Sequence, residues 1–126
     1  MARRALVVED DPDIVELLVH YLSADGWTVD ALSDGRRALE RARAGGHQLV
    51  ILDLQLPGMD GLELTRRLKA DPAHQSIIII AMTAFAMRGD RERALAAGCD
   101  DYITKPIDTG GLPRTIAAHL AARGLP

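Results

Sequence analysis

Cysteine is almost missing from these 126 residues: Cys99 stands alone, so no internal disulfide can brace the chain. No apolar run is long enough to span a membrane, and Met1-Ala2-Arg3-Arg4 leads into only a short apolar stretch before acids, which excludes a signal peptide. Lys and Arg are scattered along a chain of net charge −3, without the basic stripe that follows a nucleic-acid backbone. Neither nucleic acid nor membrane is therefore expected as a partner. His20, His47, His74 and His119 lack metal-ligand spacing and read as surface or boundary residues. Repeats and low-complexity segments are missing too. What remains is expected to be one globular domain over residues 1–126 with no room for a second, 48% apolar residues to fill its core, and the cytoplasm as default compartment.

What the chain does have is four apolar runs, each ending in a polar residue suited to phosphate chemistry. Ala5 to Val8 precede Glu9-Asp10, Leu49 to Leu52 precede Asp53, Ile77 to Met82 precede Thr83, and Tyr102-Ile103 come shortly before Lys105. Helical segments lie between them. Asp11-Pro12 reads as a helix cap with proline in the first turn, and Ile14, Leu17, Leu18, Tyr21 and Leu22 recur at helical spacing until Gly26. Ser33-Asp34 opens a second helix with Ala38, Leu39 and Ala42 inward, closed by Gly45-Gly46. Asp60 caps a third, with Leu64 and Leu68 inward, which ends at Asp71-Pro72 directly before the fourth strand. A fourth helix covers about Asp90 to Ala97, and a fifth runs from about Thr109 to Ala122 with Ile116 and Leu120 buried.

Trp27 to Leu32 alternates apolar with polar residues and suits a sheet edge, whereas the unbroken runs suit the buried centre. Right-handed crossovers with the more polar strands outermost are satisfied by order 2-1-3-4-5. The expected fold is thus α/β, a doubly wound, five-stranded parallel sheet of the flavodoxin-like (βα)5 type. In such a sheet ligands bind outside the carboxyl ends of the strands, so the polar strand ends converge on one site.

Crowding Glu9, Asp10 and Asp53 at one edge costs up to about 4 kcal/mol per pair at ~4 Å and an effective dielectric of ~20. A divalent cation removes that cost. An all-oxygen donor set favours Mg2+, which takes one or two carboxylates plus phosphate oxygens. Asp53 can then act as nucleophile toward phosphorus, with Lys105 as a compact charge on one phosphoryl oxygen and the Thr83 hydroxyl and Ala84 amide as donors to another.

At these residues the chain resembles the receiver domain of bacterial two-component response regulators, the CheY-like family, essentially from residue 5 to residue 120. The matching pieces are Val-Val-Glu9-Asp10-Asp11, Leu-Asp53-Leu-Gln55-Leu-Pro57-Gly-Met-Asp-Gly61, Met-Thr83-Ala84 and Lys105-Pro106. The stretch from Thr83 to Asp90, with Gly98-Cys99 and Tyr102 to Ile107, is most similar to stand-alone cell-cycle regulators of the DivK type. The resemblance implies that Asp53 accepts a phosphoryl group from a histidine kinase or histidine phosphotransfer protein. It implies that Asp10, Asp53 and the Gln55 carbonyl bind Mg2+ directly, that Glu9 acts through water, and that the Lys105-Pro106 peptide is cis. It also implies a switch in which Thr83 moves toward phosphate and Tyr102 follows. The fourth helix, fifth strand and fifth helix then form the face that meets a downstream protein. Such a chain is a phosphoacceptor, an effector or a shuttle in a phosphorelay, and not a conventional enzyme.

Plainer readings compete at several positions. A lone Asp after an apolar strand is usually a loop acid or cap, but four matched strand ends reverse those odds. Tyr102 taken alone is a half-buried edge aromatic; Cys99 is a small buried hydrophobe; Arg88, Arg91 and Arg93 form a solvated helix face. A haloacid-dehalogenase-like phosphatase shares the strand-end Asp and metal but needs a second Asp where Gln55 stands. A flavin-binding module needs a Ser/Thr/Gly phosphate loop where this chain has Glu9-Asp10-Asp11.

Overall fold

A computed structural model describes residues 3–84 and 88–124. Met1 and Ala2, together with Phe85, Ala86 and Met87 of the stretch following Thr83, lie outside the described residues. Five strands, β1 (Arg3–Val8), β2 (Trp27–Leu32), β3 (Leu49–Asp53), β4 (Ile78–Thr83) and β5 (Asp101–Thr104), form one sheet. They alternate with α1 (Pro12–Ala24), α2 (Gly35–Gly45), α3 (Gly61–Ala70), α4 (Asp90–Ala97) and α5 (Leu112–Ala122). The strand order is 2-1-3-4-5 and every pairing is parallel. The fold class expected from the alternation is the one observed.

Burial explains the order. Every residue of β3 and β4 is buried, whereas β2 and β5 are mostly intermediate or exposed. A parallel sheet covered on both faces needs continuous apolar strands at its centre and tolerates polar side chains only at its edges. Side chains alternate between two cores. Leu6, Val8, Val50, Leu52, Ile79 and Ala81 meet α2, α3 and α4, while Val7, Leu49, Ile51, Ile78, Ile80 and Met82 meet α1 and α5. Each fully buried aliphatic side chain contributes about 1.5–3 kcal/mol relative to exposure.

The helix starts follow their capping chemistry. The Asp11, Asp34 and Asp60 side chains accept from Asp13 N, from Arg36 and Arg37 N, and from Glu63 N, filling donors that a first turn leaves open. Gly61 lets α3 begin hard against the end of β3, since a Cβ there would lie 2.6 Å from the Asp53 carbonyl oxygen.

Helix α1 forms over the expected spacing, with Leu18 and Leu22 buried and Leu17 and Tyr21 exposed. Several sequence expectations need correction. Helix α5 begins at Leu112 rather than near Thr109, because the Asp108 carboxylate captures the amides of Gly110 and Gly111 in a turn of its own. A short 3-10 turn, Pro72–His74, separates α3 from β4. His47 is buried, not peripheral, with its Nε2 2.8 Å from Asp30 Oδ2. Of the fifteen Lys and Arg that look scattered in sequence, seven lie on α2 and α3, which pack against each other.

Candidate functional site

The carboxyl edge of the sheet is set by backbone registry. Val8 lies opposite Leu52, and Asp53 lies opposite Met82, so Glu9, Asp53 and Thr83 leave three adjacent strands side by side. The Lys105 amide donates to the Thr83 carbonyl at 2.8 Å, carrying the fifth strand's exit to the same place. The Lys105-Pro106 peptide is cis, as the family resemblance implies.

Carboxylate oxygens of Glu9, Asp10 and Asp53 lie within 4.8 Å of one another. Glu9 and Asp53 are buried and Asp10 is exposed, so the group expected to stand behind water is the deepest of the three. Lys105 Nζ donates to Asp53 Oδ2 at 2.8 Å and also to Glu9 Oε1. The Gln55 amide donates to Asp53 Oδ1 at 2.8 Å, and the Asp10 amide to Glu9 Oε2 at 3.0 Å. Burial, and then the hydrogen bond shared with Asp53, push the Glu9 carboxyl up to about 7, against a smaller opposing effect of Lys105. Burial disfavours the Lys105 ammonium, yet its bonds to Asp53 and Glu9 outweigh that and raise its pKa. One ammonium thus serves two buried acids with a third beside them. The cluster is short of positive charge and offers only oxygen ligands, a donor set that fits Mg2+.

Thr83 is buried at the end of β4, and Ala84 is exposed in the bend that follows. Tyr102 lies opposite Ala81, half-buried against the core on the α3 and α4 side. Its hydroxyl is out of solvent without a hydrogen-bond partner, a position costing on the order of 1–3 kcal/mol. Thr83 and Tyr102 share that face of the sheet, because Thr83 pairs with Thr104, two residues beyond the tyrosine.

Sequence reasoning did not single out Asp90. This carboxylate is buried at the start of α4, bonds Arg93, and lines a small cleft with Gln55 and Thr83. Its only sequence signal was its place as first acid of a helix. Cys99 is buried as expected, its thiol pKa is raised by that burial, and Sγ sits 3.5 Å from Thr65 Oγ1.

The family profile for the response regulator receiver domain matches residues 5–117. The polar-differentiation response regulator DivK of Brucella ovis is 38% identical over 120 residues, covering 95% of this chain and 98% of DivK. A response regulator structure from Chloroflexus aurantiacus superposes with a TM-score of 0.90 at 28% identity, covering 96% of this chain and 99% of that one. The receiver domain of a sensor histidine kinase from Pseudomonas aeruginosa, solved with magnesium coordinated in its active-site cleft, gives 0.87 at 32% identity and the same coverages.

Proposed function

The chain belongs to the response regulator receiver domain family, and on that premise we propose that it is a phosphoacceptor whose nucleophile is Asp53. The observation that carries this reading is the Asp53 carboxylate itself, buried at the end of β3 among two further acids and held by Lys105 at 2.8 Å. The donor is a phosphohistidine on a kinase or phosphotransfer protein. An Asp53 oxygen attacks phosphorus, a P–O bond forms as the P–N bond breaks, and the imidazole departs with the electron pair. The product is an aspartyl phosphate.

Asp10, Asp53 and the Gln55 carbonyl would hold Mg2+, with Glu9 reaching it through water. When bound, the ion supplies the positive charge that offsets three acids and the incoming phosphoryl oxygens. The protein's own groups do the rest. Lys105, already on Asp53, turns its ammonium to a phosphoryl oxygen, and the Gln55 amide fixes the carboxylate's orientation. The Thr83 hydroxyl and the Ala84 amide donate to another phosphoryl oxygen. Movement of Thr83 toward phosphate then frees room on the face it shares with Tyr102, so that charge at the edge becomes a packing change on α4, β5 and α5. That face meets the downstream protein. The unit acting is a single receiver domain, and its output is binding rather than turnover.

The test is labelling with acetyl phosphate. Wild type should take up phosphate only with magnesium, and Asp53→Asn should take up none; full acid-stable labelling of that variant would assign the nucleophile elsewhere. Thr83→Ala should still be labelled but bind a phosphorylation-dependent partner less tightly than equally labelled wild type.

A further inference from the structure

The packing of α2 on α3 brings together seven of the chain's fifteen Lys and Arg. The two helices carry Arg36, Arg37, Arg41, Arg43, Arg66, Arg67 and Lys69 against only Glu40 and Glu63, in a chain whose net charge is −3. Arg41 is tied to Asp30, Arg67 to Glu63 and Lys69 to Asp100. Among the described residues, the guanidinium groups of Arg36, Arg37, Arg43 and Arg66 have no ion pair or hydrogen bond, and all four side chains are exposed. Arg36 and Arg43 stand two helical turns apart on one face of α2. With Arg67 from α3 they line a cavity of about 320 Å³, shared with Glu40, Glu63, Leu39 and Met59. Arg43 adds to the lowering of the Asp71 carboxyl, after the Ala73 amide and His74, without forming an ion pair, and like charges gathered on one face with so few internal partners oppose folding rather than favour it.

We propose that this α2–α3 face is a docking surface for an acidic segment of a partner protein, with carboxylates seated between Arg36, Arg43 and Arg67. The guanidinium fork fits a carboxylate with two parallel bonds, and Glu40 and Glu63, set among the arginines, reward a partner whose own charges are spaced to avoid them. Other anionic partners fit less well. Neither α2 nor α3 contains an aromatic residue on which bases could stack, as single-stranded nucleic acid requires. The exposed large hydrophobic residues, Leu17, Tyr21 and Leu95, all lie elsewhere, so the face has no apolar anchor for an anionic lipid surface. The surface is separate from the acid cluster and from the α4, β5 and α5 face.

The experiment titrates fluorescein-labelled oligoglutamate, and oligothymidylate of matched charge, against wild type, Arg36→Gln/Arg43→Gln and Arg114→Gln at physiological ionic strength. The peptide should bind saturably, shift amide resonances of α2 and α3, and lose roughly fivefold in affinity in the double variant, two weak exposed pairs having gone. Arg114→Gln, on exposed α5 surface, should bind as wild type does. Equal losses in both variants, no saturable binding, or tighter binding of the oligonucleotide than of the peptide would each overturn the proposal. Acetyl phosphate labelling of the double variant should match wild type, which shows that the fold is intact.

Discussion

Two groups of buried or half-buried acids stand in contrasting surroundings. At the carboxyl edge, buried Glu9 and Asp53 share one ammonium, Lys105, with exposed Asp10 beside them. At two other places a half-buried acid has cations to spare. Asp30 receives Arg4, Arg41 and His47, and Asp100 receives Lys69, Arg123 and the Ile79 amide. The second arrangement is what a structural ion-pair network looks like, with every charge answered within the chain. The first leaves three clustered acids with a single ammonium among them. The difference marks the carboxyl edge as the candidate site, because uncompensated charge and shifted carboxyl groups cluster where proteins bind or react.

The largest expected effect comes from removing the single ammonium. Lys105→Met should destabilise the metal-free protein by about 3 kcal/mol at pH 8, since it leaves two buried carboxylates without a cation. Millimolar magnesium should restore most of that loss in urea unfolding. Without such restoration, the carboxyl edge would be one more internal salt bridge and the contrast would fail.

Acid removal should then act with opposite sign in the two groups. Asp30→Asn leaves Arg4 and Arg41 unanswered and weakens the bond to buried His47, so it should cost roughly 2 kcal/mol with or without magnesium. Asp53→Asn relieves repulsion with Glu9 and should stabilise the metal-free protein by about 1 kcal/mol. Urea midpoints for the two variants decide it, and losses of the same sign would break the comparison.

Acidity separates the groups again. Glu9 is raised in the fold from 4.5 to about 7, so its contribution is complete below its unfolded value and disappears as the pH rises through about 7. Asp30 is lowered, first by its hydrogen bond with His47 and then by Arg41. Its contribution is present above the ordinary carboxylate value and disappears only as the pH falls through its lowered one. Metal-free protein should therefore lose stability between pH 5 and pH 8. Magnesium should flatten that slope, and Glu9→Gln should abolish it in thermal melts.

Much of this was legible in the sequence because it is local. Asp11-Pro12 announces a helix start, and apolar runs announce central strands, since the information lies within a few residues of where it acts. The four polar strand ends then follow from strand order alone. Lost to the sequence was whatever depends on distant partners. Nothing near His47 says that it is buried against Asp30, and nothing near Lys105 says that its ammonium bridges Glu9, 96 residues earlier, to Asp53. The depth of Glu9 relative to Asp10 was hidden too, because adjacent residues at a strand end diverge in ways that alternation no longer governs. The arginines of α2 and α3 looked scattered because only tertiary packing brings two helices into one face.

The smallest expected effect tests whether burial, rather than charge count, separates the two groups. Arg67 and Glu63 form an i,i+4 pair at 2.9 Å on α3, with side chains 51% and 44% exposed. Geometry as good as that of the buried pairs should yield little here, because water screens the attraction and both side chains lose rotamer freedom in forming it. Glu63→Gln should cost about 0.4 kcal/mol, fading as salt is raised, and should leave magnesium-dependent labelling of Asp53 untouched. Chemical denaturation at low and high ionic strength measures the first effect, and acetyl phosphate labelling the second. A loss approaching that of Asp30→Asn would mean that ion-pair number governs stability in this fold, and the charge deficit at the carboxyl edge would then lose its meaning as a mark of function.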